Sequence, residues 1–211
     1  MPSLIMSLVC GMLPIACKST EGHDRAARTA DQVVTVGSVA GQTQTYLDKT
    51  LASLEQVAAT KDQNPKPAFD TFVKQLGGFQ SEFAKLTKAR DAMKAKSTEW
   101  FAEFEAQNAA IQDSELREDG TKRLASFRDQ VKDVSEQVDG LMTETNALQA
   151  TLTDLRTYLG NDLTANGIDA ISGRIGDTAK SGRKLAEGLG RLSKSSDKLA
   201  AGLSAARQPV K

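Results

Sequence analysis

Apolar residues return at alternating intervals of three and four from about residue 25 to residue 203, the spacing that keeps one face of a helix turned toward its neighbours. A first stripe runs through Val33, Val36, Ala40, Thr43, Leu47, Thr50, Leu54 and Val57, and it stops at "KDQNPKP", residues 61–67, where two prolines and an asparagine cannot continue a helix. A second holds Phe69, Phe72, Leu76, Phe79, Phe83, Leu86, Arg90, Met93, Ser97, Trp100, Phe104, Gln107 and Ile111. Gly77 and Gly78 lie in its first third and predict a loosened or kinked helix, at about 1 kcal/mol per glycine relative to alanine. After a polar break near residues 108–114, a third stripe carries Leu124, Phe127, Val131, Val134, Val138, Leu141, Thr145, Leu148, Leu152, Leu155 and Leu159. The turn Gly160-Asn161-Asp162 ends it, and Thr164 is a good N-cap for a fourth. That last stripe is Ile168, Ile171, Ile175, Thr178, Gly182, Leu185, Leu189, Leu192, Ser196, Leu199 and Leu203.

Each helix has one apolar face and needs the other three to cover it. The pattern therefore predicts an all-α fold, an elongated up-down-up-down four-helix bundle with coiled-coil-like packing over residues 26–205. Helices of about 40 residues make a rod ~60 Å long. With an even number of helices, the N-terminus, the loop between helices two and three, and the C-terminus share one end. The "KDQNPKP" loop and the Gly160 turn share the other.

The first seventeen residues follow a different rule. Residues 1–16 contain no charged side chain and hold an apolar core from Leu4 to Ile15, too short to span a bilayer comfortably but the length of a signal-peptide core. The segment resembles the bacterial lipobox, with Ala16 before the cleavage point and Cys17 as the lipidated residue, although Pro14 stands where leucine is usual. An ordinary signal peptide, or a buried apolar segment with an incidental cysteine, are the alternatives. In lipoproteins of Gram-negative bacteria the residue after the cysteine helps choose the membrane; here it is Lys18 rather than aspartate, which by resemblance implies the periplasmic face of the outer membrane. The expected organisation is thus a signal peptide at 1–16, a lipidated cysteine and tether at 17–25, the bundle, and a tail at 206–211.

Composition narrows the chemistry. Lys plus Arg and Asp plus Glu each number 27, so no overall field favours nucleic acid. Both cysteines, Cys10 and Cys17, lie ahead of the bundle, which has no disulfide to form. The one histidine, His23, lies in the tether, which excludes Ser-His-Asp and Cys-His catalysis and paired Glu-x-x-His iron sites. "GLGRLSKSS", residues 188–196, is glycine-rich but sits within a leucine-striped helix rather than after a strand, and is no phosphate loop. No catalytic residue, metal ligand or cofactor is expected, and no nucleic acid partner.

Charge is unevenly placed. Glu99, Glu103, Glu105, Asp113, Glu115, Glu118 and Asp119 crowd the second turn, and Lys180, Arg183, Lys184, Arg191, Lys194, Lys198, Arg207 and Lys211 crowd the end of the chain. Two accounts are open. The basic last helix packs beside the acidic hairpin, which is the account favoured here, or Arg191, Lys194, Lys198 and Arg207 touch anionic headgroups at about 1 kcal/mol per cation. The glycines of the last helix (Gly182, Gly188, Gly190, Gly202) permit close packing or mark a weak, movable helix, and the sequence does not choose.

Three stretches, "STEWFAEFE" at 97–105, "DSELREDGTKRL" at 113–124 and "YLGNDLTANGIDAI" at 158–171, resemble a bacterial family catalogued as domain of unknown function 2959. The resemblance implies a helical, coiled-coil-rich, often lipoprotein-like envelope protein, and it carries over no catalytic residues.

The expected function is a non-enzymatic envelope lipoprotein whose partners are the membrane, through its lipid, and an envelope protein of unknown identity, with self-association also considered. The alternatives are a membrane-remodelling amphipathic protein and a periplasmic carrier or holdase. Replacing Cys17 with serine should move the protein from the membrane fraction to the soluble extract and abolish incorporation of an acyl label; equal fractionation of parent and variant would remove the lipoprotein reading.

Overall fold

A computed structural model describes the backbone of residues 19–205 and the side chains of residues 24–203; Cys10, Cys17, the expected signal peptide, Arg207 and the tail lie outside the described residues. Five helices follow in order: α1 (Ser19–Ala59), α2 (Lys66–Ala109), α3 (Ser114–Asn161), α4 (Ala165–Ala170) and α5 (Ser172–Ala205). The chain is an all-α bundle. Helix α1 starts inside the segment read as a tether, two residues after Cys17.

The breaks fall where local chemistry forces them. Pro65 caps α2 with Pro67 in its first turn, where a missing amide hydrogen costs nothing. Asp113 caps α3, its Oδ1 accepting from the backbone amides of Glu115 (2.9 Å) and Leu116 (3.1 Å). Thr164 caps α4 by accepting from the Gly167 amide at 3.1 Å. The fourth helix, expected to run unbroken from Thr164, is interrupted at Ile171 (φ −113°, ψ 8°), whose amide bonds three residues back to Ile168 instead of four. The side chain of Ser172 holds this tightened turn by donating to the Asp169 carbonyl at 2.9 Å.

Neighbouring helices run antiparallel. Tyr46 lies over Gly78 between α1 and α2; Asp139 pairs with Arg90 between α2 and α3; Leu51 lies over Gly182 between α1 and α5; Ser195 bonds Gln137 between α3 and α5. Helices α1 and α3 sit diagonally, each touching α2 and α5. Pairing of Arg25 with Glu103 puts the start of α1 beside the α2–α3 hairpin, and pairing of Lys61 with Asp169 closes the far end. With 44 residues in α2, the distance between those ends is ~60 Å.

The stripes form the core. Every position of the first stripe is buried, and Phe72, Leu76, Phe79, Leu86, Met93, Leu152, Leu159, Leu185, Leu189 and Leu192 are closed to solvent or nearly so. Threonines within the seam satisfy their hydroxyls by donating one turn back: Thr43 to the Val39 carbonyl (2.8 Å), Thr50 to Tyr46 (2.7 Å) and Thr145 to Leu141 (2.7 Å). Toward the end of α2 the buried face drifts off the expected stripe. Phe101 and Asn108 are buried while Gln107 is exposed, because an α-helix turns every 3.6 residues and slips past a strict 3.5-residue repeat.

The expected weakness at Gly77-Gly78 is not found. Helix α2 is continuous there, and a Cβ on Gly78 would lie 2.5 Å from the Tyr46 ring, so this glycine makes room for an aromatic side chain of α1. Lys85, on the solvent side, also contributes to the structure. Its ammonium is 2.7 Å from Oε1 of Glu82, a carboxylate in a residue only 8% exposed. Truncating a buried phenylalanine costs about 3–5 kcal/mol. Phe83→Ala should therefore lower the melting temperature by several degrees or more, Lys88→Ala should leave it nearly unchanged, and Lys85→Ala should fall between them, all read by circular dichroism.

Candidate functional site

The end of the rod that carries the start of α1 concentrates the unusual side chains. Trp100 anchors it, with ring centres 5.2 Å from Phe101, 6.3 Å from Phe104 and 5.5 Å from Phe127 of α3. Two arginines of α3 lie on this cluster, Arg128 over Phe101 (5.4 Å) and Arg123 over Phe127 (5.6 Å). Arg128 also donates to Glu105 at 2.6 Å; this hydrogen bond holds the Glu105 carboxyl below its ordinary range and raises the Arg128 guanidinium.

Beyond the aromatics, Asn108 fixes the hairpin. Only 8% exposed, it donates from Nδ2 to the Arg117 carbonyl (2.9 Å) and to the Thr121 hydroxyl (3.0 Å). Gly120 lies directly opposite, and a Cβ there would overlap the Asn108 side-chain amide. Arg117 closes the loop by donating to the Ile111 carbonyl at 3.0 Å. This lock holds the first turn of α3 in a defined position, with Leu116 62% exposed among Glu115, Glu118 and Asp119. Sequence reasoning treated Asn108 as part of a polar break and passed over Leu116; the signal for the lock was the pairing of an asparagine with a mid-helix glycine across a short loop.

Among the described residues, the acidic side chains of the hairpin pair elsewhere than with the basic residues of α5. Among the described residues, Glu103 pairs with Arg25, Glu99 with Lys96 (2.8 Å), Glu105 with Arg128 and Glu118 with Lys122 (2.7 Å). Arg191, Lys194 and Lys198 are exposed on α5 and form no ion pair with a described residue. Register is the reason. Ser195 is level with Gln137, so Leu203 falls level with about Asp129, and the acidic tip projects past the described part of α5.

At the far end, Asp162 organises the α3–α4 turn. Its Oδ1 accepts from the Thr164 hydroxyl (2.6 Å) and amide (3.2 Å), and both bonds hold its carboxyl below the ordinary range. Gly167 is placed where a Cβ would overlap that carboxylate. Among the described residues, no three histidine, cysteine or acidic side chains converge as a metal site, and no helix is long and apolar enough to cross a membrane.

These locks coincide with the three stretches singled out in the sequence, and a family model described as "Protein of unknown function (DUF2959)" matches residues 17–202. The chain belongs to the DUF2959 family. No curated protein and no solved structure matches it. In this DUF2959 chain the "STEWFAEFE" stretch supplies the aromatic anchor, "DSELREDGTKRL" the cap and the Gly120 niche, and "YLGNDLTANGIDAI" the Asp162–Thr164–Gly167 turn.

The Glu105–Arg128 pair gives a pH test. A depressed carboxyl contributes stability above its unfolded value, near 4.5, and that contribution is lost as pH falls through the lower folded value. Arg128→Gln should therefore lower the melting temperature relative to the parent at pH 7, and the gap should narrow as the pH is taken down through 4; a gap independent of pH would show that only the packing over Phe101 was lost.

Proposed function

We propose that this DUF2959 chain is a non-enzymatic, lipid-anchored envelope protein: a rod held at one end through Cys17 that acts by contacting another protein, placed on the periplasmic face of the outer membrane by Lys18. The observation that carries the reading is the position of the α2–α3 hairpin tip, which shares an end with the start of α1 and is held rigid by Asn108 and Gly120. Support also comes from the family match, which begins at residue 17.

The chemistry of the tip suits a protein partner better than lipid. An exposed leucine supplies an apolar anchor, and the carboxylates around it are repelled by anionic headgroups while attracting basic side chains. A second reading has its own observation. Arg191, Lys194 and Lys198 are exposed and without ion-pair partners among the described residues, which suits contact with an anionic lipid surface along the side of α5.

A photo-crosslinking residue at position 116 in cells should give a discrete adduct with one envelope protein, and the adduct should weaken when Glu115, Glu118 and Asp119 are changed to their amides. Adducts with lipid alone would overturn the proposal. Binding of the purified protein to anionic vesicles, lost when Lys194 and Lys198 become glutamine, would favour the second reading.

A further inference from the structure

Helix α1 packs extensively against its two neighbours, with one groove of about 190 Å³ between its start and α2. On α5, Cβ atoms added at Gly182 and Gly190 would lie 2.7 Å from Leu51 and 3.0 Å from Gln44, and one at Gly37 of α1 would lie 2.9 Å from Ser196. Gly78 of α2 is packed in the same way beneath Tyr46. The ion pairs Arg183–Glu55 (3.0 Å) and Lys61–Asp169 add to the α1 side of the molecule.

Helix α3 is held differently. It packs less extensively against α2 and α5 than α1 does, and open grooves flank it on both sides. One of about 470 Å³ lies between α2 and α3, with Ser97, Phe101, Val131 and Ser135 among its lining residues, and one of about 240 Å³ lies between α3 and α5 around Leu148 and Leu185. A third, of about 620 Å³, lies between α2 and α3 at the far end beside Phe69 and Gly160.

The interface also contains a mismatch. The hydroxyls of Ser97 and Ser135 are buried and find no hydrogen-bond partner, and the register of Arg90 with Asp139 places these two serines level across the seam. Unlike Thr43, Thr50 and Thr145, they do not bond back along their own helices; the buried hydroxyls of Thr29 in α1 and Ser196 in α5 are likewise without a partner. A buried hydroxyl without a partner disfavours the closed state and gains water when the seam opens. Of the charged links from α2 to α3, Arg128–Glu105 lies at the surface, where salt weakens it, and Arg90–Asp139 joins a largely buried guanidinium to an exposed carboxylate.

We infer that the middle of α3 is releasable. From about residue 131 to 155 it separates from α2 and α5 while the Asn108–Thr121 contact and the Asp162–Thr164 turn keep its ends in place and α1, α2 and α5 stay associated through the α1 seams, which uncovers the Val131–Leu155 face. Of the glycines of α5, Gly182 and Gly190 lie against α1, Gly188 lies against Leu141 of α3, and Gly202 has open space beside it. This inference does not depend on lipidation of Cys17 or on a partner at the tip.

Hydrogen exchange of the intact chain followed by mass spectrometry tests it. Amides of α3 from about 131 to 155 should exchange together and at least tenfold faster than those of α1 from 33 to 57. Replacing Ser97 and Ser135 together by alanine should slow exchange in α3 by on the order of tenfold and leave the α1 rates much less changed. Ser126→Ala, at an exposed position of α3, controls for the helix preference of alanine and should have a small effect. Asp139→Asn should accelerate α3 selectively. Equal rates in α1 and α3, an equal response to Ser126→Ala and to the double variant, or earlier release of α2 or α5 would each overturn the proposal.

Discussion

Everything in this bundle depends on how closely α1 can approach the two helices beside it. Side chains normally hold helix axes 8–10 Å apart, and that spacing shrinks only where a Cβ is missing. The α1 seams use glycine at the points of closest approach, with Leu51, Gln44 and Tyr46 lying in the space the absent side chains leave. The backbone entropy that glycine costs is offset by dense contact along the full length of the rod. Helix α3 packs less extensively on α2 and α5, and the larger grooves lie beside it.

Much of the architecture was legible because a helical stripe is a direct physical demand. Val33 to Val57 are all buried as the periodicity requires, and Pro65, Asp113 and Thr164 end or begin helices for reasons each residue carries in itself. What could not be read involved two segments at once. Nothing local to Gly78 says that Tyr46 will lie over it, so the pair Gly77-Gly78 looked like a flaw; Glu82 is within reach of Lys85 on the same helix, but its burial depends on the helices packed against it. The break at Ile171 escaped for a related reason, since isoleucine is an ordinary helix residue and the tightened turn is set by Ser172 and the chain path around it.

The candidate site was less legible than the fold. Charge clustering at the hairpin was visible, and so were the same-helix pairs Lys96–Glu99 and Lys122–Glu118, but the pairing of Glu103 with Arg25 and of Glu105 with Arg128 depends on register between helices. The family-like stretches were recognisable as words without meaning. Geometry supplies the meaning: the first builds the aromatic anchor around Trp100, and the other two are small locks in which a side-chain oxygen or amide occupies the space over a glycine or accepts from a helix's first amides. Such locks fix where a helix begins and leave its outer face free to vary.

The start of α1 at Ser19 has a mechanical consequence. Ser19, the first described residue of α1, follows Cys17 by two positions, a reach of at most ~7 Å. A protein attached at Cys17 would be a lever on a short pivot. Tilting such a lever by about 10° displaces its far turn, ~60 Å away, by about 10 Å, and that turn sweeps a thin shell instead of filling a volume. Whatever met the far end of a rod so attached would meet it at a nearly constant height, and the length of the rod would then act as a gauge of distance from the attachment point.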